Sequence, residues 1–375
     1  MLQHQDILGE LNNTLPIDKK LVAVHRVMKN RFEFIDRVAI ALYDPKTDTI
    51  KTFVDSSSDS SPLVHYEACL SETQSLRHIK ETGQPRVVDD IATYAAVPHE
   101  HTRKIRDSGF RSSYTMPMYV NGNFFGFVFF NSFQKGVFTS EALHFLDIFG
   151  HLISLVVITE ISQIHTMLAA VKSARLMTHH RDLETGSHLD RMSRYSQLIA
   201  RNLADRHGFD DEAIEHIFLF APLHDIGKIG IPDRILLKPG GLSEAELSEM
   251  RTHAIKGREI IDGIIADFGL EGLQHVDVLR NITQFHHEAM DGSGYPNGLK
   301  AEEIPIEARI VAVADIFDAL TSNRPYKEAW SNDAAFEALL KLAGVKLDAA
   351  CVEALVNNRA AVEEIQSRFR EDYFG

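Results

Sequence analysis

The chain has almost no cysteine: Cys69 and Cys351 are the only two in 375 residues, and they stand far apart. That excludes a disulfide framework and a thiolate zinc motif, and it suits a reducing cytoplasm. A basic excess is also missing. The formal charge of −14 argues against a general nucleic-acid binder, since a polyanion needs a basic face, but it leaves room for a small anionic ligand held by a few local lysines and arginines. No long uninterrupted apolar run occurs. The most apolar stretch, residues 143–161, is broken by His144, Asp147, His151 and Glu160, whereas a membrane span needs ~20 largely apolar residues in succession. A partly buried amphipathic helix is expected there, with no membrane span. The N-terminus shows no apolar core behind a basic start, so no secretory signal is expected either.

What remains is ordinary for a globular protein: 44% hydrophobic and 25% charged residues, in a chain long enough for two domains. The first half alternates helix and strand signals. Residues 18–34 read as a helix, then 37–43 and 49–54 as strands around the turn-forming Asp44-Pro45-Lys46-Thr47-Asp48. Ser71 to Gln74 matches a capping box, predicting a helix from Ser71 to Gly83. Residues 113–132 form two β-rich runs divided by Asn121-Gly122, a dipeptide that favours a tight hairpin. An antiparallel sheet flanked by helices follows. One long helix is then expected over residues 143–177. Its Val157, Ile161, Ile164, Leu168 and Val171 are spaced alternately four and three apart, which predicts a two-stranded coiled coil and a parallel homodimer.

The second half reads as helical and carries eight side chains able to bind metal: Glu184, His188, His224, Asp225, His253, His286, His287 and Asp315. His224 and Asp225 sit among apolar neighbours that would bury a carboxylate in need of a partner. Asp315 lies in the apolar run Arg309-Ile310-Val311-Ala312-Val313-Ala314-Asp315, with no cation within a turn. Zinc in a tetrahedral site takes four ligands, so convergence of most of these eight implies two or more ions and points to hydrolysis of a phosphate ester. Ser243 to Glu246 matches a capping box opening the helix that carries His253, and His286-His287 are expected to close a helix before the glycine-rich Asp291-Gly292-Ser293-Gly294-Tyr295-Pro296.

Two resemblances follow from these residues. Residues 15–158 resemble a GAF domain, a small-molecule sensing module, most visibly in Tyr119-Val120-Asn121-Gly122-Asn123-Phe124-Phe125-Gly126 followed by Phe138-Thr139-Ser140-Glu141. The signature of the cyclic-nucleotide-binding GAF domains is absent around residues 131–141. Residues 172–350 resemble the HD-GYP family through Arg181 to His188, His224-Asp225-Ile226-Gly227-Lys228, His253, His286-His287-Glu288, Gly294-Tyr295-Pro296, Arg309 to Asp315 and Arg324-Pro325-Tyr326-Lys327. Gly344-Val345-Lys346-Leu347-Asp348-Ala349-Ala350 departs from that family's usual wording.

The second resemblance implies an all-helical HD-superfamily fold that hydrolyses cyclic di-GMP to the linear dinucleotide, GMP or both. It implies that the eight residues are metal ligands, with Asp225 bridging two ions and Glu184 supporting a third. Iron is the first expectation and manganese the next. Lys228 is expected to steady the phosphate or protonate the leaving group. Tyr295, Arg324, Tyr326 and Lys327 are expected to contact substrate, and Arg309 to orient a site carboxylate. The whole reads as a multidomain α+β protein. It comprises an N-terminal GAF-like α/β sensor over residues 1–158, a connecting helix over 159–177 and an all-α phosphodiesterase domain over 178–375. A non-catalytic regulator and an enzyme acting on cyclic GMP-AMP are the alternatives.

Overall fold

The computed structural model describes residues 6–57, 63–94, 100–177, 186–269, 271, 275–322 and 329–370. They form two compact units that divide near residue 166.

In the first unit six strands make one antiparallel sheet: β1 (Arg37–Asp44), β2 (Thr49–Asp55), β3 (Glu67–Cys69), β4 (Arg86–Val88), β5 (Ser112–Val120) and β6 (Asn123–Ser132). Their order is β3-β2-β1-β6-β5-β4. The β5–β6 hairpin turns at Asn121 (φ 50) and Gly122 (φ 82), as Asn-Gly predicts, because a twist-matched two-residue turn needs two positive φ values. Both central strands alternate large apolar residues between two faces. Val38, Ile40, Val128 and Phe130 point toward the helices Ile17–Lys29 and Ser140–Met177, while Ala41, Ile50 and Phe127 meet Leu70, Leu76 and Ile79 on the other side. The helix beyond Ser71 departs from expectation. A 3-10 turn occupies Leu70–Glu72, and the helix Gln74–Thr82 starts after Thr73, which makes no side-chain cap bond. On the Leu76 face a cavity of about 860 Å³ is lined by Arg37, Thr52, His78, Arg86 and Asn131, among others.

The long helix spans Ser140–Met177. By length and composition its Ser140–Ala170 part could cross a membrane. Its apolar character has a nearer cause, since Leu146, Phe149, Ile153, Val157 and Ile161 are all buried in the core of the first unit. This corrects the coiled-coil reading: Val157 and Ile161, assigned to an intermolecular seam, are occupied by the chain's own packing. Each such side chain contributes about 1.5–3 kcal/mol by leaving water, a gain taken intramolecularly.

The second unit is a helical bundle. The helix Gly186–Asn202 packs on Asp211–Phe220 and on Ile306–Thr321, and Val276–Phe285 packs on Asp211–Phe220, His253–Phe268 and Ile306–Thr321. Of the apolar stripe along Gly186–Asn202 and just beyond it, Met192, Tyr195, Ile199 and Leu203 are buried and Leu198 is part-buried. Ile306–Thr321 is the central element, with Ala308, Ile310, Val311, Ala312, Val313, Ala314 and Phe317 buried around its circumference. Local starts follow from capping. Asp210 accepts from Ala213 N at 2.7 Å, and Ser243 and Glu246 close a full capping box. That box opens only the helix Glu244–Arg251; His253 begins a separate helix, His253–Phe268, so the single helix expected there is two. The departure at residues 344–350 packs regularly. Leu347 is buried, and Asp348 caps the helix Ala349–Val356 through Ala350 N and Cys351 N.

Candidate metal centre

Seven of the eight candidate ligands lie among the described residues, and all seven converge. Donor atoms of Asp225, His253, His286 and His287 fall within 4.8 Å of one another, as do those of His188, His224 and Asp315. Glu184 lies outside the described residues, as do Arg324, Tyr326 and Lys327.

Pro222 helps to make the centre by ending the helix Asp211–Phe220 in a 3-10 turn, Ala221–Leu223; a second, Ile226–Gly230, follows at once. Between them His224 and Asp225 point into one space from successive positions, which an unbroken helix would not allow. Gly227 then lets this segment touch the start of His253–Phe268: a Cβ there would lie 1.9 Å from the His253 carbonyl oxygen. The glycine beside Lys228 therefore brings Asp225 to His253. Gly294 does the same for the next loop, since its Cβ would meet Ala289 N at 2.3 Å. Glu288 holds that loop, its two oxygens accepting from Asn297 N (2.6 Å) and Leu299 N (2.9 Å).

Asp225 stands between the two donor sets. Its Oδ1 lies 3.1 Å from His253 Nε2 and 3.6 Å from His286 Nε2, while its Oδ2 lies 3.3 Å from His224 Nε2 and 2.6 Å from Lys228 Nζ. His224 Nε2 is also 3.9 Å from Asp315 Oδ1. The tautomers decide what these distances mean. The Nδ1 atoms of His224, His253 and His286 each sit 2.9 Å from a backbone carbonyl, of Ala221, Met250 and Ile282 respectively. A carbonyl only accepts, so Nδ1 carries the proton and Nε2 of the neutral ring presents a lone pair. Buried Asp225 Oδ1, His253 Nε2 and His286 Nε2 make no hydrogen bond. Lone pairs converging on a carboxylate oxygen call for a cation, so the residues fit the metal ions implied by the resemblance.

Electrostatics keeps the set ready to ligate. Burial works to raise the Asp225 carboxyl, but the Lys228 ammonium, the largest opposing influence, brings it well below the usual carboxylate range. Burial drives His287 far below its ordinary value, with His286 adding to the effect, and lowers His286 as well. The His286 and His287 rings are therefore neutral at pH 7.

Tyr295 packs its ring 4.7 Å from that of His287, under the Arg251 guanidinium at 5.3 Å, and burial raises its phenol. Arg309 differs from expectation: it pairs at 2.7 Å with Asp348, the cap of the helix Ala349–Val356, instead of a site carboxylate. The residues missed from sequence are Asp318, Arg191 and Arg251. Asp318 is fully buried, one turn beyond Asp315 in the same apolar helix, so the argument applied to Asp315 applied to it equally.

Residues 182–351 match the family model described as "HD domain", and residues 22–157 match the one described as "GAF domain". The chain carries a GAF domain and an HD domain. Both resemblances are borne out at that level, and the seven converging side chains lie within the residues that match the HD domain. Curated relatives include the "Cyclic di-GMP phosphodiesterase response regulator RpfG" of Xanthomonas campestris pv. campestris, 47% identical over 51% of this chain and 47% of its own length. A "Probable cyclic di-GMP phosphodiesterase" of Vibrio cholerae is 38% identical over 54% of this chain and 47% of its own. The "3'3'-cGAMP-specific phosphodiesterase 2" of Vibrio cholerae is 38% identical over 48% of this chain and 32% of its own. The chain spans about half the length, or less, of the relatives it matches.

Proposed function

We propose that this chain is a metal-dependent phosphodiesterase that hydrolyses cyclic di-GMP to linear pGpG, GMP or both, under the control of its GAF domain. The observation that carries the reading is the division of Asp225: one oxygen faces His253 and His286, the other His224 and Lys228. One carboxylate shared between two donor sets suits a dinuclear centre. Iron is the first choice of metal and manganese the second, because imidazole and carboxylate donors without thiolate suit both. Glu184 is the residue assigned to a third ion.

Divalent ions held there supply Lewis acidity, lowering the pKa of water and neutralising phosphodiester oxygens. The chain's own groups do the rest. Lys228 Nζ rests on Asp225 Oδ2 at 2.6 Å and is part exposed, so it can hold a phosphate oxygen or give its proton to the leaving 3'-oxygen. Tyr295, its phenol raised by burial, stays protonated at neutral pH and can donate to a phosphate oxygen. Arg324, Tyr326 and Lys327 are assigned to the second phosphate and the base. Two free cysteines support a cytoplasmic setting. The GAF cavity of about 860 Å³ is large enough for a small-molecule signal. A homodimer through the GAF domain and the long helix is supported by Ile148 and Leu155, seven residues apart and 67% and 63% exposed.

The cyclic GMP-AMP-specific relative makes that nucleotide a second substrate to test. Protein purified anaerobically and loaded with iron or manganese should convert cyclic di-GMP to pGpG or GMP, resolved by chromatography, with cyclic GMP-AMP run in parallel. Tight binding of either nucleotide without turnover would replace the enzyme with a regulator.

A further inference from the structure

Away from the centre described above, Glu212, His216 and His275 form a third cluster whose donor atoms lie within 4.8 Å of one another. It shares no residue with the two donor sets. Glu212 and His216 occupy one face of the helix Asp211–Phe220, four residues apart, and both are 1% exposed. His275 stands immediately before the helix Val276–Phe285, at a positive φ of 63 that turns the chain into it.

The decisive detail is the His216 tautomer. Its Nδ1 lies 2.8 Å from the Glu212 carbonyl oxygen, which can only accept, so Nδ1 carries the proton and the neutral ring's lone pair is on Nε2. That Nε2 is buried and makes no hydrogen bond. The arrangement repeats the one at His224, His253 and His286, where Nδ1 is tied to a carbonyl three or four residues back and Nε2 faces a donor cluster. Fixing a ring this way is how proteins orient imidazole ligands. The His275 ring lies 4.9 Å from that of His216. Burial, with His275 adding, holds the His216 pKa down to about 3, so the ring is neutral at any ordinary pH.

We propose that Glu212, His216 and His275 bind an additional, structural divalent ion, with zinc the best suited. Two imidazoles and one carboxylate are a zinc donor set, to which a water would add the fourth ligand. An ion about 2.0–2.1 Å from each donor draws the donors to roughly 3.4 Å apart, a side-chain adjustment of about an ångström. The site has a structural logic. The helix Asp211–Phe220 leads to His224 and Asp225, and Val276–Phe285 leads to His286 and His287. Glu212 and His275 stand at the starts of these ten-residue helices, roughly 15 Å from the ends that lead to the centre, and an ion held by them and the mid-helix His216 staples together the two elements that present it. The inference is independent of the phosphodiesterase reading, because it concerns metal content and stability and not turnover.

The test uses the full chain, stripped with chelator and reloaded with zinc or cobalt(II). Metal analysis should give one equivalent fewer in His216→Ala and His275→Ala than in the wild type. The cobalt(II) difference spectrum between wild type and variant should show a tetrahedral ligand-field band. Zinc should raise the melting temperature of the wild type more than that of either variant. His275 is only part-buried, so His275→Ala decides the matter if His216→Ala does not fold. Equal stoichiometry and identical cobalt spectra in wild type and His275→Ala would overturn the site.

Discussion

His188 and Asp318 are joined through Nδ1 and Oδ2 at 2.7 Å, and Arg191 grips the same carboxylate, with its Nη2 2.9 Å from Oδ2. Asp318 is buried, which favours its neutral form, but His188 and Arg191 outweigh burial and keep it ionised. The carboxylate fixes which His188 nitrogen carries the proton and turns the other toward His224 and Asp315. It is a positioning group, one residue removed from the proposed metals. Asp318→Asn should lower metal affinity by about 10- to 100-fold, measured by competition with a chromophoric chelator. Saturating metal should restore most of the turnover, whereas a role in the reaction itself would leave the variant slow.

Lys228 and Asp225 should separate in their effects. Lys228→Ala should keep the metal content and lose about 10²–10³-fold in kcat, the usual cost of removing one charge-stabilising donor. Asp225→Ala should lose both metal and turnover while the GAF domain stays folded. Metal analysis beside product chromatography checks both. Full metal content in Asp225→Ala would remove that residue from the centre.

His25 gives the GAF domain a pH-dependent stability. Burial lowers its pKa from about 6.5, Lys29 adds to that, and the hydrogen bond to the Ile35 carbonyl at 2.8 Å opposes them. Above pH ~6.5 neither folded nor unfolded chain binds the proton, so His25 contributes no slope. Below it the unfolded chain takes up a proton that the folded one refuses, and stability falls with pH by up to about 1.4 kcal/mol per unit until the folded-state pKa is reached. His25→Gln should flatten that limb in denaturation curves of the full chain measured between pH 7 and pH 5, values chosen around ~6.5. An unchanged slope would assign the proton uptake elsewhere.

The exposed pair Ile148 and Leu155 lies on the outward face of the long helix, opposite the buried Phe149, Ile153 and Val157. If this face joins two copies, Ile148→Glu with Leu155→Glu should shift the chain from dimer to monomer by light scattering. The melting temperature should change little, since neither side chain fills the core.

Much of this protein was legible in its sequence because the signals were local. Asn121-Gly122 fixed the hairpin, and an apolar run around Asp315 marked a carboxylate that needed a partner. Other local signals misled, the Ser243 box by opening a helix that stops before His253. Ser71 to Gln74 reads as a capping box, but the chain there is a 3-10 turn packed by Leu70 into the core, and burial outranked the cap. The Val157 and Ile161 stripe suits a coiled coil equally well, and only the folded domain shows that the sheet claims it first.

The residue types by themselves determined the chemistry available: imidazoles and carboxylates without thiolates, on helices, in a chain of net negative charge. Tertiary structure alone decided the rest. That Asp225 divides its oxygens between two donor sets, that Asp318 and Arg191 hold His188, and that Glu212, His216 and His275 meet at all depends on helices distant in sequence crossing at close range. The physical reason is that helical periodicity specifies which face of an element is buried. Which partner it is buried against is set by packing at contacts such as Gly227 on His253, where no local pattern points.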